Sequence, residues 1–416
     1  MKIAIVSKYF PPNIRGGGEI SAYNLAQALA ELGVEVHVIT SANVEQLKES
    51  KFTLHPIIKD VSMPGILKYV SRNEIFYWNS YRAVSKFLAD NHDIDVVHAM
   101  NMDSIPGAVL SAKRYRIPSV ITISSQWLTC PTGYMLKSYN EVCNGECSFL
   151  NTVNCYMHSP TPNIYEKILG PLYAPIQMRE RRIAVRSVGA VVCISQNVKS
   201  YVEKIFNNNK ILYVIPNIVE ADKYENKKVV EKLRSNILFV GALGKFKGCE
   251  YVIKAMPGIL KEFPDCILRI IGDGERYEEF IELSKELGVH QNTIFEGFIQ
   301  AEKMLDYYNS TDIVVFPSVV PETFGRVAAE AMAAGKPVIA SNVGGIPEIV
   351  EHEETGILVE PKNPKQIADA VKYLLGNPDV AREMGKRGKE LVKKRYSPSI
   401  IAKKYLEVYE RLSLSR

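Results

Sequence analysis

The stretch "VPETFGRVAAEAMAAGKPVIAS" carries two glutamates, Glu322 and Glu330, eight positions apart across a loop-to-helix junction. Thr323 reads as an N-cap and Gly335 as the helix stop, which puts Glu322 in the loop at the mouth and Glu330 two turns inside. At about 1.5 Å per residue the carboxylates stand roughly 10 to 12 Å apart along the axis, near the span of a nucleoside-diphosphate sugar from hexose to ribose. A carboxylate accepts hydrogen bonds from two neighbouring hydroxyls, and the free N–H groups and dipole of a helix start suit the phosphates between. Spacing alone leaves a plainer reading open, with Glu322 a solvated loop residue and Glu330 a charge on the helix surface.

Such residues need a scaffold, and 416 residues are enough for two domains of about 200 residues each. Hydrophobic content of 46% with 23% charged residues belongs to a folded globular protein. A net charge of +5 is too mild to point to nucleic acid, while a phosphorylated ligand or an anionic membrane surface stays compatible. "KIAIVS", a loop with "GGG", "EISAYNLAQALAELG" and "VEVHVIT" read as strand, loop, helix and strand, with Gly33 closing the helix. "DVVHAM", "SVITIS" and "AVVCIS" continue as short buried strands. The first domain is expected over residues 1–215, an open α/β unit interrupted by an insertion of loops and a helix at about 127–178. After Pro216 and Asn217 the rhythm restarts, and "NILFVGA", "CILRIIGDG", "TIFEGF", "DIVVFPS" and "PVIASN" predict a second doubly wound domain over 216–396. Two such domains face each other across a cleft, with ligands at the carboxyl ends of the strands. Residues 397–416 predict a last amphipathic helix with Ile400, Tyr405, Val408 and Leu412 on one face; its packing partner is not legible.

The N-terminus lacks a signal-peptide pattern and no apolar run reaches about 18 residues, so the expected location is the cytosol. Cys130, Cys143, Cys147 and Cys155, with His158 close behind, leave packing thiols, a structural zinc site and a disulfide all open. "DID" at 93–95 imitates a D-x-D metal motif but lies at the wrong end of a strand, and His98 in "DVVHAM" reads as a satisfied core histidine. Arg179, Arg181, Arg182 and Arg186 in "MRERRIAVRS" predict a basic helical face, either simply solvated or meeting phospholipid headgroups or a lipid-phosphate acceptor.

Taken further, "PETFGRVAAEAMAAGKPVIASNVGGIPEIV" with "TGILVEP" resembles the signature of retaining, nucleotide-sugar-dependent glycosyltransferases of family 4, also called glycosyl transferases group 1. "PPNIRGGGEISAYNLAQALAELGVEVHVIT" is similar to that family's N-terminal phosphate loop and helix, "VIPNIVEADKY" to its interdomain connection, and "VGALGKFKG" to its phosphate-binding strand-loop. The resemblance spans nearly the whole chain, thinnest between 40 and 95 and in the insertion. It implies the B-type glycosyltransferase fold, an α/β architecture of two Rossmann-like doubly wound domains facing across a cleft. It also implies transfer of a hexosyl group from a UDP- or GDP-sugar to a glycan, lipid-linked or small-molecule acceptor, with retained anomeric configuration and no obligatory metal or other cofactor.

By the same resemblance, Glu322 bonds the sugar's hydroxyls and stabilises charge at the anomeric carbon, and Glu330 holds the ribose. Phe324 and Gly325 offer backbone N–H groups, Gly17 and Gly18 in the first loop let main chain approach the diphosphate or the acceptor, and Lys247 is the phosphate lysine. Phe298 and the residues near "GDGERYEEF" border the base. Two positions depart from the pattern. Five residues before Lys247 the family has arginine and this chain Ala242, so Lys245 or Arg326 are the candidates to supply that charge. After "SVITIS", where many members have His-Asp, this chain begins with Ser124. Same-face transfer can use the departing phosphate as base, so activity is still expected. A catalytically degenerate nucleotide-sugar-binding protein is the competing reading, and a phosphorylase-like or epimerase-like enzyme is a third, for which the pyridoxal lysine context is missing.

Overall fold

A computed structural model describes residues 1–13, 16–41, 50–60, 75–128, 130–131, 136–138, 141–143, 148–158, 164–206, 211–224 and 235–414. The chain divides into two compact units, Met1–Ile218 joined by Pro398–Arg416, and Val219–Ser397.

The first unit runs β1 (Lys2–Val6), α1 (Gly17–Glu31), β2 (Glu35–Ile39), β3 (Thr53–His55), α2 (Phe76–Asp90), β4 (Val96–Ala99), α3 (Ile105–Arg114) and β5 (Ser119–Ile123). The insertion follows as β6 (Leu136–Ser138), β7 (Glu141–Val142), α4 (Phe149–Met157) and α5 (Ile164–Arg186), and then come β8 (Ala190–Cys193), α6 (Gln196–Phe206) and β9 (Leu212–Val214). All strands except the antiparallel β6–β7 pair lie parallel in the order β3-β2-β1-β4-β5-β8-β9. The central strands are apolar and β-branched because both faces are covered. Helix α1 buries Ala22, Leu25, Ala26 and Leu29 at helical spacing. It ends at Gly33, whose φ of +82° and the Val34 N–H to Leu29 O bond of 3.1 Å close the last turn as expected. The insertion holds two helices where one was expected, and the second runs past residue 178 to Arg186.

The second unit contains β10 (Asn236–Val240), α7 (Cys249–Leu260), β11 (Ile267–Ile271), α8 (Tyr277–Glu286), β12 (Thr293–Gly297), α9 (Ala301–Ser310), β13 (Ile313–Phe316) and α10 (Arg326–Ala333). It continues through β14 (Val338–Ser341), β15 (Gly356–Val359), α11 (Pro364–Gly376) and α12 (Pro378–Tyr396). Its parallel sheet has the order β12-β11-β10-β13-β14-β15, with a core of Ile237, Phe239, Val252, Met256, Leu268 and Val315. Both sheets step outward in both directions from their first strand, which leaves a topological switch at the carboxyl ends of β1 and β4 and of β10 and β13.

The last helix, α13 (Pro398–Leu414), belongs to the first unit and buries Ile401, Ala402, Tyr405, Val408 and Tyr409 in that unit's core. His98 on β4 is fully buried between it and β5, with Nδ1 2.7 Å from the Tyr409 hydroxyl and Nε2 2.8 Å from Thr122 Oγ1. Burial pushes its pKa down to about 3, so it sits in the core as a neutral, doubly hydrogen-bonded ring. Among the described residues no helix is long and apolar enough to cross a membrane.

Candidate active site

In the second unit the loops after β10 and β13 lie side by side, tied by the Val319 N–H donating to Phe246 O at 2.8 Å. Across this seam Lys247 Nζ donates to Glu322 Oε1 at 2.6 Å, and Ser318 Oγ donates to the same oxygen at 2.8 Å. The Glu322 side chain is only 15% exposed, and its other oxygen, Oε2, has no partner among the described residues. The loop is held from behind by the Gly345 N–H, which donates to Glu322 O at 2.7 Å. Gly344 sits at φ +60°, where a Cβ would stand 2.3 Å from that same carbonyl oxygen. The paired glycines of "NVGGIPE" therefore let one backbone press against another and fix the Glu322 main chain.

Helix α10 begins at Arg326, not after Thr323. Gly325 occupies the cap with φ +96° and no side-chain cap bond, so the chain turns through a left-handed residue that Thr323 could not replace. Glu330 is consequently one turn inside the helix, not two. It is not a solvated surface charge: Oε1 accepts from Arg326 Nε at 2.9 Å and Oε2 from the Tyr308 hydroxyl at 3.1 Å. Burial, and then the charge of Glu330, push the Tyr308 phenol well above its ordinary pKa, which keeps it a donor. Each Glu330 oxygen has lone-pair capacity for more than one donor.

The other expected residues fall around this pair. The Phe324 ring is buried edge-on against Tyr396 at 5.7 Å, so only its backbone faces the site. Arg326 is engaged with Glu330. Lys245 is half-buried in the loop after β10, close enough to Glu279 to help hold that carboxyl low behind the dominant Arg276 bond. Phe298 lies just past β12 with 78% of its surface exposed, and nothing brings it to Glu322.

In the first unit Gly17 and Gly18 are the first residues of α1, not part of the loop. The Gly16 N–H donates to Glu19 Oε2 at 2.9 Å, and this self-capping extends the helix back through the glycines. A Cβ on Gly18 would stand 3.9 Å from Ser124 Oγ, so that face of α1 adjoins the end of β5. Sequence reading missed Ser318, which orients Glu322 from four residues upstream. It also passed over Lys8, although a lysine at the end of an apolar strand was the available signal. Lys8 is 1% exposed, 3.7 Å from Asp60 Oδ1 and 3.5 Å from Asp103 Oδ2, with its ammonium 4.1 Å over the Phe76 ring.

The remaining constellations separate from the site. "DID" is structural: Asp93 pairs with the Lys2 ammonium at 2.6 Å and Asp95 accepts from the Lys2 N–H at 2.8 Å. Cys130 and Cys143 are buried together beside Tyr201, Cys155 is half-buried, and Cys147 lies outside the described residues. Among the described residues no group of three His, Cys, Asp or Glu is placed to hold a metal ion. Arg181 does not share the basic face expected of it. It lies on the inner side of α5, 2% exposed, and donates to Trp127 O at 3.0 Å, while Arg179, Arg182 and Arg186 are exposed.

Two parallel α/β units, the second with a lysine–glutamate pair at its strand ends, define the class of B-type glycosyltransferases. The family described as Glycosyltransferase Family 4 matches residues 15–223, and that described as Glycosyl transferases group 1 matches residues 220–391. The chain belongs to this glycosyltransferase family. An uncharacterised glycosyltransferase of Methanocaldococcus jannaschii is 29% identical over 424 residues, covering 99% of this chain and 98% of its own. Anabaena HepE in complex with UDP superposes with a TM-score of 0.74 at 19% identity, over 99% of this chain and 100% of that one. Sucrose-phosphate synthase from Thermosynechococcus elongatus gives 0.74 at 21% identity, over 100% of both chains. At those identities the two structures establish the shared fold.

Proposed function

We propose that this glycosyltransferase moves a hexosyl group from a UDP- or GDP-sugar to a hydroxyl of a glycan, lipid-linked or small-molecule acceptor, with retention at the anomeric carbon. The observation that carries this reading is the Lys247–Glu322–Ser318 cluster just before the start of α10. An ammonium has three N–H donors, so Lys247 can keep Glu322 in place and still meet the charge growing on a departing diphosphate. The positive end of the α10 dipole adds to the same task. Oε2 of Glu322 is left to bond a sugar hydroxyl and to stabilise positive charge at the anomeric carbon. The bond from that carbon to the phosphate oxygen breaks as the acceptor oxygen attaches on the same face, and the acceptor's proton passes to the departing diphosphate. Glu330, with Tyr308 and Arg326 behind it, binds the ribose. Gly17, Gly18, Lys245 and Phe298 complete the donor and base contacts, and the reaction needs no metal or other cofactor. The protein works in the cytoplasm.

The test is a thermal-shift panel of UDP, GDP and ADP with their sugars, followed by transfer assays with EDTA present and the product anomer read by NMR. A raised melting temperature with UDP or GDP and a retained anomer are expected. No shift with any nucleotide sugar, or transfer that EDTA abolishes, overturns the reading. A second reading is favoured by Ser124, which stands where many relatives carry a histidine: a protein that binds nucleotide sugars without turnover. Tight donor binding with neither hydrolysis nor transfer on any acceptor would select it.

A further inference from the structure

Helix α5 is 23 residues long, and the exposed positions among its described side chains are Ile164, Ile168, Leu172, Pro175, Ile176, Arg179, Arg182, Ile183 and Arg186. Among the described side chains of this helix no acidic and no neutral polar one is exposed. A solvated helix of this protein looks different: the exposed side of α12 carries Asp379, Arg382, Glu383, Lys386, Glu390 and Lys394. Leu172 is 61% exposed and Ile168 60%, and the adjoining α4 adds exposed Phe149, Leu150 and Met157. The two helices are packed on each other, with the Tyr156 ring filling the space above Gly170, where a Cβ would come within 2.2 Å. So much contiguous apolar surface marks a contact site, and the order along the helix says with what. The exposed apolar positions run from Ile164 to Ile176 over about 18 Å, and the arginines follow at the C-terminal end.

Those arginines surround a space. Arg179, Arg182 and Arg186, with Thr152, Pro175 and Met178, line a cavity of about 490 Å³ between α4 and α5. No acidic residue lines it, so its field is cationic, and its floor is apolar. A guanidinium cluster over an apolar floor matches an anionic headgroup whose acyl chains continue along the apolar stripe.

We infer that α4 and α5 form a docking surface for an anionic lipid bilayer, with the stripe from Ile164 to Ile176 lying in the interface and the three arginines taking headgroup phosphates. This inference does not rest on the transfer reaction proposed above. The stripe supplies apolar area and the arginines supply selectivity for negative charge.

Vesicle flotation of the full chain tests it, with phosphatidylcholine vesicles against vesicles containing phosphatidylglycerol. The wild type is expected to float with the anionic vesicles only, and less as salt rises. Replacing Arg179→Gln, Arg182→Gln and Arg186→Gln together should lower the bound-to-free ratio about a hundredfold, at roughly fivefold per charge. Leu172→Glu with Ile176→Glu should abolish flotation, with circular dichroism melts verifying that both variants fold. Wild-type protein left in the soluble fraction with anionic vesicles at low salt overturns the inference without any variant. Undiminished flotation of the folded arginine variant overturns it as well. A wild-type dimer that Leu172→Glu with Ile176→Glu dissociates would overturn it in favour of a second copy of the chain on this face.

Discussion

At the start of α1 the Gly16 N–H is taken by Glu19 of the same helix, whereas at the start of α10 the cap is a left-handed glycine, Gly325, and a lysine–glutamate pair stands just before it. Both mouths follow a parallel strand near the switch point of their sheet, and both have a glycine at the cap position. The α1 mouth carries its carboxylate, Glu19, inside the first turn of its own helix. The first turn of α10 holds no acidic residue, and a cation and a carboxylate stand in the loops beside it. The two doubly wound units thus differ in where charge is placed, within the first turn of the helix in one and in the loops before it in the other.

Breaking the α10 mouth should have the largest effect. Glu322→Gln is expected to lower transfer kcat by about a hundredfold or more, since it removes the charge proposed to stabilise the anomeric carbon. An unchanged rate would remove Glu322 from the chemistry and equate the two mouths. Lys247→Ala should weaken donor binding by about 2 kcal/mol, read as the loss of the UDP- or GDP-dependent melting shift. If the shift survives, Lys245 or Arg326 carries the phosphate charge instead.

The first unit should respond in stability. The His98 pKa is depressed to about 3 in the fold against an unfolded value near 6.5. A depressed folded pKa means the stabilisation is complete above about 6.5 and is lost progressively as pH falls toward 3, amounting to about 2 kcal/mol at pH 5. Urea unfolding of wild type and His98→Gln at pH 7 and pH 5 should therefore show the wild type losing more. Identical slopes would mean that the ring is protonated in the fold. The smallest effect belongs to the α1 cap. Glu19→Ala should cost about 1 kcal/mol in the same unfolding measurement, and no loss would show that the helix start has another partner for Gly16.

Most of the fold was legible, for identifiable reasons. Strands such as "DIVVF" and "AVVC" are buried on both faces, so their apolar runs announce them. β3 and β9 were passed over because each has only three residues and a half-buried pattern without alternation. The helix start at Arg326 was misjudged because Thr323 is a good cap by type, while the real stop is a left-handed Gly325. Arg181 was read with its neighbours because a charge run gives no sign of which member turns inward. At the site, Glu322 and Lys247 were named from a motif, but nothing local said that they touch.

The sequence by itself determined the two α/β units and the family, because apolar periodicity and motif spacing are local properties of the chain. Tertiary structure decided the contacts between distant positions. Lys247 meets Glu322 across 75 residues, and Tyr409 reaches His98 across 311 to bring the last helix into the first unit. Such contacts depend on how loops and helices pack once the sheets exist. No repeat of 2 or 3.6 residues encodes them.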